Sequence, residues 1–227
     1  MFEPPASSVE IAVSPTATLV ADLLLPATPI GWVLFAHASG NAPQAPRHRH
    51  LARRLHRSRI ATLLTDLLTP REGEDEARRL DVPLLAGRLR LVTQWLRLQE
   101  MAAALPFGYF GAGAGTAAAL AAAAEGAGPI AAVVSRGGRP DLAGASVLAR
   151  VQAPTLLLVG GHDTPVLDVN RQAYAQLGGT KHLHVVQGAT HLFEEAGAMD
   201  EVALEASNWF VRHFTPPAAG NGRRVGG

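Results

Sequence analysis

The chain has 227 residues, enough for one sizeable core and within the range where a single domain is the default. Its composition, 48% hydrophobic and 17% charged with a formal net charge of +1, is that of a globular protein and excludes a disordered one. The absence of cysteine excludes disulfides, thiolate metal sites and a cysteine nucleophile, and no block of five or more basic residues points to nucleic acid.

Met1-Phe2-Glu3-Pro4-Pro5 has neither a basic n-region nor an apolar h-region, so no secretory signal is predicted and a cytoplasmic location is expected. Val9–Val13 and Thr18–Leu25 are short apolar runs separated by Ser14-Pro15-Thr16, which predicts an opening hairpin. After the turn signal Pro26–Pro29, Gly31–Phe35 reads as a buried strand. The chain then alternates. Arg47–Arg57 reads as a helix, Ile60–Thr65 as a strand, and Leu84–Gln99 as a helix with Leu89, Val92 and Leu96 at helical spacing. The charged stretch Pro70–Pro83 between them is expected to be a mobile cover, poor in helix at its start.

The strand Phe107–Phe110 and the helix Gly115–Ala124 follow. Met101–Ala124 carries no charge and is long enough to span a bilayer, but Pro106 and the glycines fit a strand and a packed helix better, so no membrane partner is expected. Next come strands Ile130–Ser135 and Thr155–Val159, the helix Leu167–Leu177, the strand His182–Val186 and the helix Met199–Phe214. This order predicts an α/β fold, with a mostly parallel central sheet, an N-terminal antiparallel hairpin and helices on both faces. Residues 1–214 form the single predicted domain, and the Pro/Gly/Ala-rich residues 215–227 are expected to be a disordered tail.

Sites in such sheets lie at the carboxyl ends of the strands. Four loops there carry chemistry: His37-Ala38-Ser39-Gly40, the glycine turn Gly111-Ala112-Gly113-Ala114-Gly115, Gly160-Gly161-His162-Asp163, and Gly188-Ala189-Thr190-His191. The glycine turn has the outline Gly-x-Ser-x-Gly of a nucleophile elbow, with Gly113 at the serine position. An acid after one late strand and a histidine after the next reproduce the chain order nucleophile, acid, histidine. That chemistry needs histidine to move a proton, a carboxylate to hold its tautomer, and amides to hold an oxyanion.

Five segments together carry a resemblance: Phe35-Ala36-His37-Ala38-Ser39-Gly40, Leu63-Leu64-Thr65-Asp66-Leu67-Leu68-Thr69-Pro70, Gly108-Tyr109-Phe110-Gly111-Ala112-Gly113-Ala114-Gly115, Val134-Ser135-Arg136-Gly137-Gly138-Arg139-Pro140-Asp141-Leu142 and Gly188-Ala189-Thr190-His191-Leu192-Phe193-Glu194-Glu195. In this order they resemble the dienelactone-hydrolase-like branch of the α/β hydrolases, from about Gly31 to Phe214. The resemblance implies a carboxylic ester or lactone hydrolase scaffold with Asp163 as triad acid, His191 as triad base and the amides of Ala38 and Ala114 as oxyanion hole. Family members carry serine where this chain has Gly113, and usually glycine where it has Ala38. Gly113 therefore leaves three explanations open: a deliberate removal of the nucleophile, a relative that binds without catalysis, or an enzyme whose His191–Asp163 dyad activates water or takes a substrate proton directly.

Ser39 sits in the oxyanion loop, and His37 is expected to brace that loop. Arg136 and Arg139 flank a Gly-Gly turn and could clamp a carboxylate or phosphate, or pair with Asp141. His48, His50 and His56 lack the spacing of a helical metal pair, so no metal site and no cofactor are expected. The expected partner is a small ester, lactone or acyl compound, and a homodimer is compatible with the chain. A second reading is an NADP-binding oxidoreductase, with Gly113, Gly115 and Ala118 as G-x-G-x-x-A after a strand and Arg136 placed for a 2′-phosphate.

Overall fold

The structure is a computed structural model and describes residues 7–38, 46–126 and 128–215. The expected tail from residue 216 onward and Ser39 lie outside the described residues. In chain order the elements are β1 (Ser7–Ser14), β2 (Ala17–Leu24), β3 (Gly31–His37), α1 (Pro46–Arg57), β4 (Ile60–Asp66), α2 (Pro70–Gly73), α3 (Glu76–Arg79) and α4 (Val82–Arg97). There follow β5 (Phe107–Gly113), α5 (Ala114–Glu125), β6 (Ala132–Gly138), α6 (Ala145–Arg150), β7 (Thr155–Gly160), α7 (Thr164–Gln176), β8 (Lys181–Val186) and α8 (Ala198–Phe214).

The strands form one eight-stranded sheet in the order β1-β2-β4-β3-β5-β6-β7-β8. β1 runs antiparallel to β2 and β2 antiparallel to β4, while every pairing from β4 to β8 is parallel. β3 and β5 therefore lie in the interior, and the loops that follow them open at the middle of the sheet.

Alternation along the strands divides the core into two layers. Trp32, Leu34 and Ala36 of β3 face α4 and α5, where Leu85, Leu89, Val92 and Leu96 supply the apolar stripe of α4. Val33 and Phe35 face the other way, toward Leu51 and Leu55 of α1 and Val202, Ala206 and Phe210 of α8. The helix α5 is buried from Gly115 through Ala122 on nearly every side, because it is wedged between the sheet and α4. Only small residues permit that approach. A Cβ on Gly115 would lie 1.9 Å from the carbonyl oxygen of Ala36, and one on Gly111 2.6 Å from the Cα of Thr116.

The stretch after β4 differs from its expectation as a mobile cover. Thr69 caps α2 in a reciprocal capping box with Glu72, with Pro70 in the first turn. Glu72 is then gripped by both Nη atoms of the buried Arg88 at 2.7 Å, and Arg88 also donates to the Leu67 carbonyl at 2.8 Å. This ion pair holds the Glu72 carboxyl down at about 2, the Arg88 hydrogen bonds being the largest cause. Capping and charge fasten the segment to α4 rather than leaving it loose. Among the described residues, no helix is long and apolar enough to cross a membrane; Met101–Ala124 is divided among a short 3-10 turn, β5 and α5.

Candidate active site

The turn from β5 into α5 places Gly113 at φ 54° and ψ −132°, a conformation that strains any residue with a Cβ. The Gly113 carbonyl accepts from the Arg139 amide at 3.0 Å, which ties the turn to the end of β6. A Cβ built on Gly113 meets nothing within 4 Å, so the position has room for a side chain. Gly111 and Gly115, two residues to either side, have none. The turn thus has the backbone of an elbow, forced by close packing of α5 on β3. No side chain caps α5 at Gly113, so its first amides face the same region with the positive end of a twelve-residue helix dipole.

Asp163 follows β7 and precedes the first turn of α7, and His191 follows β8. Their loops are docked on each other. The His162 amide donates to the Ala189 carbonyl at 2.9 Å and the Gly161 amide to Val186 at 2.9 Å. Gly160 has to be glycine here, since a Cβ would lie 2.5 Å from the carbonyl oxygens of both Ala189 and Thr190. Glu195 closes the histidine loop by accepting from the amide and hydroxyl of Thr190 at 3.0 and 2.6 Å. The result is a hydrogen bond of 2.6 Å between His191 Nδ1 and Asp163 Oδ2, with the carboxylate largely shielded and the imidazole exposed. Asp168, one turn along α7, is paired with Arg171 at 3.2 Å instead.

The imidazole lies over the neighbouring strand end. A Cβ on Gly137 would sit 3.5 Å from His191 Cε1, and the next residue, Gly138, is the register partner of Gly113. Ala38 directly follows His37 at the end of β3, whose amide lies near Gly115; Ser39 belongs to the undescribed segment 39–45. The structure thus brings Gly113, Ala114, Asp163 and His191 to one end of the sheet.

The two arginines part company. Arg139 holds Asp141 with Nε at 2.9 Å and Nη2 at 2.6 Å, which pulls the Asp141 carboxyl below its usual range and occupies the guanidinium fork. Of the two roles the sequence left open for Arg139, the structure shows the pair with Asp141. Arg136 is instead buried on the α1–α8 face, where desolvation, followed by the charge of Arg47, pushes it down to about 10. His37 is buried beside it. Its ring nitrogens have no hydrogen-bond partner among the described residues, and its ring lies 3.7 Å between centroids from that of His48; the loop it is expected to brace runs into residues 39–45, outside the described residues. His48 was not singled out as a site neighbour, although its spacing to Leu51, Ala52 and Leu55 marks the inward face of α1.

The dienelactone hydrolase of Anabaena variabilis is 46% identical to this chain and superimposes with a TM-score of 0.86, covering 93% of this chain and 99% of its own. The chain belongs to the dienelactone-hydrolase-like α/β hydrolases. Est1E of Butyrivibrio proteoclasticus has the same fold at 12% identity, with a TM-score of 0.77 over 91% of this chain and 98% of its own. No protein-family model matches the chain. Curated relatives from two strains of Mycobacterium tuberculosis, each named "Putative phosphoribosyl transferase", are 50% identical over 216 residues. Those residues are 95% of this chain but 48% of the relatives, so the chain spans about half their length. The dinucleotide reading of Gly113, Gly115, Ala118 and Arg136 is not supported by these hydrolase relatives, and Ala118 is buried in the core against the α4 layer.

Proposed function

We propose that this chain is a carboxylic ester or lactone hydrolase in which the His191–Asp163 dyad activates water in place of a serine. The observation that carries the reading is the 2.6 Å bond between His191 Nδ1 and Asp163 Oδ2, beside an elbow whose central residue has no side chain. An ionised carboxylate can only accept, so Nδ1 carries the proton and Nε2 is left as the base. A water in the space that a serine hydroxyl would fill gives its proton to Nε2 as its oxygen bonds to the ester carbonyl carbon. The oxyanion that forms accepts from the amides of Ala114 and Ala38, supported by the α5 dipole. Collapse of the tetrahedral adduct breaks the bond to the leaving oxygen, and His191 returns the proton to it.

Hydrolysis of p-nitrophenyl acetate and of a simple γ-lactone by the purified protein tests this. Turnover should be slow and should disappear in His191→Ala and Asp163→Asn while the fold is retained. Unchanged turnover in His191→Ala removes the dyad from the mechanism.

A further inference from the structure

The helix α4 is apolar on two opposite faces. Its buried stripe, Leu85, Leu89, Val92 and Leu96, belongs to the core layer it shares with α5 and the sheet. A second series, Leu84, Gly87, Leu91, Trp95 and Leu98, also recurs at intervals of three and four residues. At about 100° per residue these five fall within an arc of about 80°, on the side of the helix turned away from the buried stripe. Leu98 keeps that phase because, just past the end of α4, it still holds right-handed helical angles, φ −80° and ψ −9°. Leu91 is 43% exposed and Leu98 86%, and Leu80 and Met101 stand exposed just beyond the two ends of the helix. Those four are half of the eight large apolar side chains that the described residues leave exposed. A surface helix ordinarily turns polar residues outward, so a helix apolar on both sides has two surfaces to pack.

The charges of the helix are held off that outer face. Arg88 turns inward onto Glu72, Arg90 pairs with Glu125, and Arg97 lies over the Phe107 ring while donating to the Pro129 carbonyl at 2.9 Å. Gly87 leaves a hollow on the same face. Glycine inside a helix costs stability relative to alanine, and nothing in the fold of one copy calls for it here. Its φ is not positive, and a Cβ built on it would meet only Arg90 Nη2, at 4.0 Å. The missing side chain therefore makes room for something that approaches from outside.

We infer that the outer face of α4 is the contact surface for a second copy of this chain, with the two α4 helices antiparallel about a two-fold axis at Leu91. A contact of that symmetry must be self-complementary, so each residue before Leu91 on one copy meets the residue equally far beyond Leu91 on the other. The series satisfies this condition. Leu91 meets Leu91, Leu84 meets Leu98, and Gly87, four residues before the axis, meets Trp95, four residues after it. The largest side chain of the stripe thus faces its one hollow, the large-into-small fit by which helices pack closely. A partner of another kind needs no such symmetry in the stripe. The exposed side chains offer on the order of 400 Å² of apolar surface per copy, in keeping with the apolar share of a standard interface of about 800 Å² per partner. This surface uses none of the residues assigned to ester hydrolysis and stands apart from that reading.

The test is analytical ultracentrifugation of the full chain from about 1 to 100 μM, where the parent should be dimeric at the upper end. Leu91→Lys sets two ammonium groups against each other on the axis, and Gly87→Phe fills the hollow; each should weaken association at least tenfold. Leu204→Lys, at a similarly exposed leucine of α8, should associate as the parent does. Because the chain has no cysteine, single introduced thiols report the register. Under mild oxidation Leu91→Cys should give a disulfide-linked dimer. Leu98→Cys alone should not, since its two copies would lie about 21 Å apart along the helices, but a mixture of Leu84→Cys and Leu98→Cys should cross-link to each other. A monomer at every concentration overturns the proposal, and so does a dimer that Leu91→Lys leaves intact. Self-linking of Leu98→Cys without that of Leu91→Cys overturns the antiparallel register.

Discussion

The acid–base half and the nucleophile half of the proposed site are built in opposite senses. Around β7 and β8 the side chains proposed to react are present and their loops bring them together: Gly160 lets the two loops touch, Glu195 closes the second, and Asp163 meets His191 at 2.6 Å. Around β5 and α5 the aiming is present and the reacting group is not, because Gly113 holds the elbow conformation with no atom to present. Elbow geometry is thus a property of the surrounding packing, of Gly111 against Thr116 and Gly115 against Ala36, and not of the residue at its apex.

If the two halves are complementary, one hydroxyl should join them. Gly113→Ser is expected to raise p-nitrophenyl acetate hydrolysis by at least about a thousandfold, since loss of the nucleophile from a comparable triad costs on the order of a million-fold. A fluorophosphonate probe should then label residue 113, and the gain should vanish on adding His191→Ala. A serine variant that folds but neither turns over nor labels would show that the elbow and the dyad do not face each other.

The same turn offers a sharper contrast within two residues. Gly115→Ala forces a Cβ to within 1.9 Å of a backbone oxygen that cannot move without distorting β3. A loss of about 3 kcal/mol or more, the upper end for overpacked cores, is expected in urea unfolding. A shift under 1 kcal/mol would mean that α5 can slide on the sheet, which would also undo the case that packing sets the elbow.

How much of this was legible beforehand varies with the kind of signal. The strands and α4 follow from apolar runs and from Leu89, Val92 and Leu96 on one stripe, and the strands and the long helices α1, α4, α5, α7 and α8 begin and end within a few residues of their expected places, whereas the short α2, α3 and α6 had none. That Asp163 and His191 would come together was readable because strand ends in a parallel sheet gather their loops at one end, and Gly160 is the residue that lets them meet. The segment after β4 was misread although Thr69-Pro70-Arg71-Glu72 spells a capping box; what sequence did not reveal is that Arg88, sixteen residues on, would clamp the same glutamate. Arg136 and Arg139 look equivalent in Arg-Gly-Gly-Arg, yet one ends inside the α8 layer and the other on Asp141. Strand parity with Val134 predicts the first. The second depends on a turn that parity does not govern.

The Glu72–Arg88 pair extends the comparison to the segment beside the hairpin. Because the Glu72 carboxyl is depressed to about 2, its contribution is fully present above the ordinary value near 4.5 and is lost as pH falls toward 2. Glu72→Gln is expected to destabilise by about 2 kcal/mol at pH 7, as for a hydrogen bond to a charged group, with the gap from the parent narrowing below pH 4.5. A gap that stays constant from pH 7 to pH 3 would mean that packing, not charge, fastens the segment. His37 acts in the same direction over a higher window. Burial, then His48, lowers its proton affinity, so the unfolded chain binds the proton more readily and stability falls as pH drops below about 6.5.

The smallest effect returns to the apex of the elbow. Gly113→Ser adds a side chain into open space, so no steric term opposes it, but the residue must hold φ near 54° with a Cβ attached. Glycine relaxes that strain in the native state while leaving the unfolded chain freer, and the two effects pull in opposite directions. Strain is the larger of them at such positions, so a net loss of about 1 kcal/mol is expected, a few degrees in melting temperature. The serine variant should thus be the more active and the less stable protein. A rise in melting temperature would show that the turn relaxes once a Cβ is present, and the several-orders gain in esterase activity should then fail with it, because a relaxed turn no longer aims the hydroxyl at His191.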